Sequence, residues 1–306
     1  MDVAALGSTE VLRGPDVDAS ASRERARQRR LLTVALALAA SASWLWYRLL
    51  DGRPVGWGWP RLPDGLSQYA VSFGLTGGIH SLDDAEVEHW LDRVEVGNAY
   101  VNRHITGAVV QRQSFGGWKA SVVGSGAKAG GPNYVAQLGR WADAPDVPSR
   151  TADPVGWLAW ARADDDRAWL TEFSPAHDPS ALGVEANVFR YRPVPGITVR
   201  VGTDAPDAEV QRVLAAAARA GVPATVVGQE LTDEAFADAV ADGKVTGRIR
   251  VVGEAPGLRD AAASRLGSVT VLDAPVLASG RRELLTMLRE QSLSRTMHRY
   301  GHLRTS

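Results

Sequence analysis

The chain has 306 residues, 45% of them apolar, with a formal net charge of -1 and no cysteine. That charge balance excludes a strongly basic nucleic-acid-binding surface. The missing cysteine excludes disulfides, thiolate metal sites and a cysteine nucleophile together. The six histidines fall in no zinc-ligand spacing; His298 and His302 read as a helix end near the surface.

Met1–Ser22 is polar and aperiodic and is expected to be disordered. Arg23–Arg30 (RERARQRR) abuts the uncharged stretch Leu31–Tyr47, which lies at the lower edge of bilayer-spanning length. Three readings stand. The first is an anchor whose N-terminus the arginines hold in the cytoplasm, with Trp44, Trp46 and Tyr47 at the far interface. The second is a long signal peptide with Ala40-Ser41-Ala42 near its cleavage point. The third is out-of-frame sequence from GC-rich codons.

From Ser81 the pattern becomes regular. Acids open a helix over Asp83–Val94, where the macrodipole favours them. Ser81 is the expected N-cap, with Asp84 completing a box-like contact. Val87, Trp90, Leu91 and Val94 make one apolar face. Gly97 ends the helix and Ala99–Asn102 reads as a strand. It runs into Gly97–Leu138, a glycine-rich segment in which the backbone can approach a neighbour closely. Trp141–Leu182 is a connector broken by Pro145, Pro148 and Pro154, with a helix over Trp157–Phe173 anchored by Trp157, Trp160 and Trp169. Its acidic run Asp164-Asp165-Asp166 reads as a solvated helix face and not as a metal site.

Asn187–Arg299 reads as an α/β unit. Strands are predicted at Ile197–Val201, Ala224–Val227, Arg248–Val252 and Val269–Leu272. Helices are predicted at Ala205–Ala220 (capped by Thr203 or Asp204 and closed by Gly221), Thr232–Ala241 and Pro256–Leu266. This alternation implies a parallel sheet with crossover helices. No Gly-x-Gly-x-x-Gly follows any strand, and Asp204 at a helix start opposes a pyrophosphate. The unit is expected to lack a nucleotide site.

The order of residues in the middle of the chain is more specific than its composition. It runs Phe73-Gly74-Leu75-Thr76-Gly77-Gly78, then Val96-Gly97-Asn98 with Tyr100-Val101-Asn102, Thr106-Gly107-Ala108, and Gln113 with Phe115-Gly116-Gly117. Lys128-Ala129-Gly130-Gly131-Pro132-Asn133-Tyr134 follows. This string resembles the C-terminal active-site segment of the aldehyde dehydrogenase superfamily. The nearest branch oxidises glutamate γ-semialdehyde, the open form of pyrroline-5-carboxylate, and includes the dehydrogenase half of bifunctional proline utilisation A proteins. The tail, Asp273–Leu277 and Gly280–Ser294, is similar to the extra C-terminal domain of longer proline utilisation A proteins, which serves assembly. The likeness begins abruptly near Leu66. Trp57–Pro63 stands where the family carries a Glu-x-Phe-Gly-Pro motif.

The resemblance implies an α/β fold: a C-terminal fragment of an aldehyde dehydrogenase catalytic domain, then a Rossmann-like α/β domain without a nucleotide site. The expected divisions are 1–64 (basic lead and apolar segment), 65–142 (dehydrogenase segment), 143–186 (helical connector) and 187–306 (C-terminal α/β domain). In the family a cysteine thiolate attacks the aldehyde and NAD takes the hydride. Here the cysteine, the general base and the cofactor domain are missing, so no catalytic, cofactor-binding or metal-binding residue is expected. NAD belongs to the parent family and is not expected for this chain alone. The resemblance leaves a substrate end. The backbone amides of Gly107 and Ala108 would hold the substrate carboxylate, and Phe115 would wall the aliphatic chain. Ala108 stands where relatives often have Ser.

The expected function is that of a partial NAD-dependent glutamate-semialdehyde dehydrogenase, inactive alone; the alternative is a non-catalytic assembly or membrane-tethered scaffold. Expected partners are glutamate semialdehyde when another chain completes the site, a complementing dehydrogenase fragment or a second copy, and no nucleic acid. The location implied is cytoplasmic, or membrane-anchored through 31–47. Residues 65–142, with one helix to cover their strands, are expected to be poorly protected from hydrogen exchange.

Overall fold

The computed structural model describes residues 71–106, 108, 112–299 and 302–303. The disorder expected over Met1–Ser22, the anchor, signal-peptide and out-of-frame readings of Leu31–Tyr47 and the site residue Gly107 lie outside the described residues. No helix among the described residues is long and apolar enough to cross a membrane.

The chain opens with two short strands, β1 (Phe73–Gly74) and β2 (Thr76–Ile79), and helix α1 (Asp84–Arg93). Asp83, not Ser81, caps α1: its Oδ1 accepts from Ala85 N at 2.9 Å. Ser81 sits two residues earlier, accepting from Asp83 N and donating to Glu86 Oε2 at 2.5 Å, so Glu86 takes the place expected of Asp84. Strand β3 (Asn98–Val101) follows. Its four side chains are all buried and alternate between two layers. Ala99 and Val101 pack with Val87, Trp90, Leu91 and Val94 of α1. Asn98 turns to the glycine-rich segment, donating to Ser114 O and accepting from Gly116 N. That layer approaches so closely that a Cβ on Gly97 would stand 1.9 Å from Gly116 O.

β3 is not left uncovered. Beyond β4 (Trp118–Lys119) and helix α2 (Pro154–Ala168), the chain makes the long strand β5 (Glu185–Pro193) and an α/β run. That run is β6 (Ile197–Val201), α3 (Asp207–Ala220), β7 (Ala224–Val227), α4 (Asp233–Ala241), β8 (Gly247–Val252), α5 (Leu258–Ala263) and β9 (Val269–Leu272). It then returns through β10 (Leu288–Thr296). One sheet has the order β2-β3-β10-β5, with β10 parallel to β3 and antiparallel to β5. Strands from the segments 65–142 and 187–306 therefore share a sheet, and Pro63–Ser306 is one compact unit. The expectation of a bare strand at Ala99–Asn102 is corrected: β10 pairs with one edge of β3 and β2 with the other.

The second sheet, β7-β6-β8-β9, is wholly parallel, as the alternation of strands and helices predicts. Ile197 and Val199 of β6 pack in one core with Trp157 of α2 and with Val213, Ala216 and Ala217 of α3; Ile249 and Val251 of β8 pack on the other face with Phe236, Val240 and Leu258. Gly221, at φ +67°, closes α3. Neither Thr203 nor Asp204 caps that helix: it begins at Pro206 without a side-chain cap. The Thr203 backbone is committed to Glu254, and Asp204 takes φ +59°.

Two further expectations change. The acidic run is solvated only at Asp166. Asp165 lies 2% exposed in a two-pronged contact with buried Arg212, at 2.7 Å on both arms. Asp164 accepts from Gly280 N at 2.7 Å. His298 and His302 lie on two-residue strands paired antiparallel and not at a helix end.

Candidate functional site

The loop expected to hold a substrate carboxylate is fixed at both flanks by one residue from a distant strand. Glu185 opens β5, and its Oε2 accepts from Arg103 Nη1 while its Oε1 accepts from Arg112 Nη1, each at 3.0 Å. Burial would raise the Glu185 pKa, but the Asn187 amide and the two guanidinium groups outweigh it and hold the carboxyl below the usual range. Asn102, at φ +56°, starts the loop with its amide locked to Ser81: Ser81 N donates to Oδ1 at 2.9 Å and Nδ2 donates to Ser81 O at 2.8 Å. Gln113 closes the loop by donating to Asn187 Oδ1 at 3.0 Å.

Of the three residues expected at the substrate end, Gly107 lies outside the described residues. Ala108 is exposed between the two Glu185 anchors. Phe115 is half-buried, and its N–H and C=O both pair with Ala129 at 3.0 Å. No hydrogen bond among the described residues joins Ala108 to Phe115.

Behind Phe115 lies a buried polar network that sequence reasoning missed. Lys128 is 1% exposed and donates from Nζ to Asn98 Oδ1 at 3.0 Å and to Gly116 O. Burial pushes its pKa down to about 7, with Glu290 partly opposing the shift. Glu290, on β10, accepts from Lys128 N and from Asn133 Nδ2, both at 2.8 Å, and burial raises its carboxyl. Asn133 Nδ2 also reaches Tyr191 Oη at 2.9 Å. The run Lys-Ala-Gly-Gly-Pro-Asn-Tyr carried the resemblance, but nothing in it signals that Lys128 and Asn133 turn inward to meet an acid over 150 positions later, as the separations of 162 and 157 show. The network orients the backbone on which Phe115 sits.

The crevice of the second sheet does not fit NAD. In a parallel sheet of this order a nucleotide would lie beyond the carboxyl ends of β6 and β8, where the strand order reverses. There the two chain segments bond to each other: Gly202 N donates to Val252 O at 2.8 Å, and Thr203 and Glu254 exchange two bonds of 3.2 Å. A Cβ on Gly202 would lie 1.8 Å from Glu254 O. Asp207 and Glu209 occupy the first turn of α3, the wrong sign for phosphate.

Residues 70–140 match the model of the aldehyde dehydrogenase family. That stretch is similar to the aldehyde dehydrogenase family. The bifunctional protein PutA of Rhizobium meliloti is 39% identical over 128 residues, covering 41% of this chain and 10% of that protein. The 1-pyrroline-5-carboxylate dehydrogenase of Bacillus cytotoxicus is 47% identical over 66 residues, covering 22% of this chain and 12% of that protein. Among solved structures, Proline Utilization A (PutA) from Corynebacterium freiburgense superposes with a TM-score of 0.65 at 47% identity, over 76% of this chain and 24% of that one. This chain thus spans about a tenth of the curated relatives and a quarter of the solved one. The structural match extends well beyond the dehydrogenase segment, as the similarity of the tail to the same parent implies, and the mixed α/β fold agrees with it.

Proposed function

We propose that this chain carries the substrate end of a glutamate-semialdehyde dehydrogenase and turns over only when another polypeptide supplies the thiol and the NAD domain. The observation that carries this reading is the Glu185 clamp, which sets both flanks of the loop around Ala108 from outside the dehydrogenase segment. The amides of Gly107 and Ala108 donate to the substrate carboxylate, and Phe115 packs against the chain between carboxylate and aldehyde. The parent family uses NAD for the oxidation; this chain contributes binding and orientation. The partner is a dehydrogenase fragment carrying the preceding part of the domain, and the setting is cytoplasmic, with residues 31–47 as the alternative anchor.

A second reading, a non-catalytic scaffold built from the same domains, is favoured by one observation: the crevice beyond β6 and β8 is closed by backbone bonds. One experiment separates the two. The chain is mixed with a fragment of a related enzyme that ends before the residue matching Phe73, and NADH formation from glutamate semialdehyde is followed. The expected result is no turnover by the chain alone, turnover on mixing, and a loss of at least tenfold with Phe115→Ala (roughly 1.4 kcal/mol). Turnover by the chain alone overturns the proposal. Tight association without turnover selects the scaffold.

A further inference from the structure

A cleft of about 740 Å³ lies between the end of the dehydrogenase segment and the α/β sheet, and neither Ala108 nor Phe115 lines it. Its walls are apolar: Leu272, Pro275, Leu285 and Leu288 contribute, with Trp141 beside them. Its two ends differ in polarity.

At the deep end stands Asn133, 4% exposed, with an amide nitrogen committed to Tyr191 and Glu290. Its Oδ1 is buried and has no hydrogen-bond partner. A buried acceptor left unpaired is costly, and a donor is what it lacks. Neighbouring Glu290 cannot turn to supply one, because both its oxygens already accept. At the open end stand Arg140 and Arg282. Arg140 is exposed, and Arg282 lies over the Trp141 ring with its guanidinium carbon 3.5 Å from the centroid. Among the described residues neither has a carboxylate partner, whereas the cleft's other arginines are paired, Arg250 with Glu283 and Arg259 with Asp273.

An acceptor at the deep end, an apolar body and cations at the mouth define a ligand. We infer that this cleft binds a hydroxyaryl carboxylate, with its phenol donating to Asn133 Oδ1 and its carboxylate at Arg140 and Arg282. The ring lies between Leu272, Leu285 and Leu288. The volume is in the range of small-molecule sites, as is an apolar lining with few converging polar groups. This site is independent of the dehydrogenase reading.

Titration calorimetry of the full chain with 3-(4-hydroxyphenyl)propionate tests it. Two analogues serve as arms: 3-phenylpropionate, which lacks the donor, and the primary amide of the parent acid, which lacks the charge. Binding of the parent acid is expected, weakened about fivefold or more without the hydroxyl and about tenfold or more as the amide. The double variant Arg140→Met, Arg282→Met removes both charges and keeps unbranched apolar stems in their place. It is expected to bind the amide like the parent chain and to lose the preference for the acid. The unchanged amide affinity also shows that the variant is folded. No heat from the parent acid, equal affinity for acid and amide, or a preference for the acid that survives in the variant each overturns the inference.

Discussion

Lys128 is a cation taken out of water, with Asn98 Oδ1 and Gly116 O among the described residues to receive its protons. Its ammonium is therefore disfavoured in the folded chain, and its pKa falls from 10.5 to about 7. The unfolded chain then binds more protons than the folded one between those values, so this group's contribution to stability grows as pH rises through that window and is lost as pH falls towards 7. Compared with Lys128→Met, the parent chain should gain up to ~1.4 kcal/mol per pH unit above neutrality. Urea unfolding of both proteins at pH 7, 8 and 9 checks this, and a difference that does not vary with pH rejects the desolvated ammonium. Glu185 poses the complementary case. Glu185→Gln keeps the shape but removes the charge shared by Arg103 and Arg112. Because Arg112 is half exposed, the stability cost should be about 1 kcal/mol or less. The local effect should be larger: amide exchange over 103–106 and 112–113 is expected to speed up severalfold while β6 and β8 stay unchanged. Unaltered exchange in the loop would show that Glu185 does not set it.

At the scale of elements, β3 decides how the dehydrogenase segment is held. It is hydrogen-bonded on both edges and covered on both faces, so the amides of Asn98–Val101 should be among the slowest to exchange. Exchange of those amides as fast as in the loop 103–106 would contradict the pairing with β10. The strands β6 to β9 were legible in the sequence because short β-branched runs stand between helical patterns with Gly or Asp at the joints. β10 was not legible. Its run LREQSLSRT puts Glu290, Gln291, Ser292 and Ser294 into the interior, where pattern reading expects apolar residues. Hydrogen bonds offset their burial: Gln291 donates to Val96 O, Ser292 to Ser114 O and Ser294 to Asn187 Oδ1. The site divides the same way. Ala108 and Phe115 are candidates that the order of motif residues suggests. Glu185 is not, since nothing local ties an acid at the head of β5 to arginines 82 and 73 positions earlier.

At the scale of the molecule, residues 187–306 looked from sequence like a domain able to stand alone. The fold makes α2 part of the same core, through Trp157 and through Asp165 on Arg212. Cutting before Asn187 leaves the Arg212 guanidinium with the Leu277 and Ala278 carbonyls but without its carboxylate. Breaking such a pair from one side costs roughly 3–5 kcal/mol. Residues 143–306 should therefore be more stable than 187–306 by at least that amount in chemical denaturation, and equal midpoints would show that α2 is dispensable. The closing of the first sheet by β10 also sets a clock on biosynthesis. Gln291 and its acceptor Val96 are 195 positions apart. At 5–20 residues per second a ribosome needs roughly 10–40 s to cross that interval. Throughout it β3 waits with one edge open, so the nascent segment is exposed to mispairing until β10 has emerged.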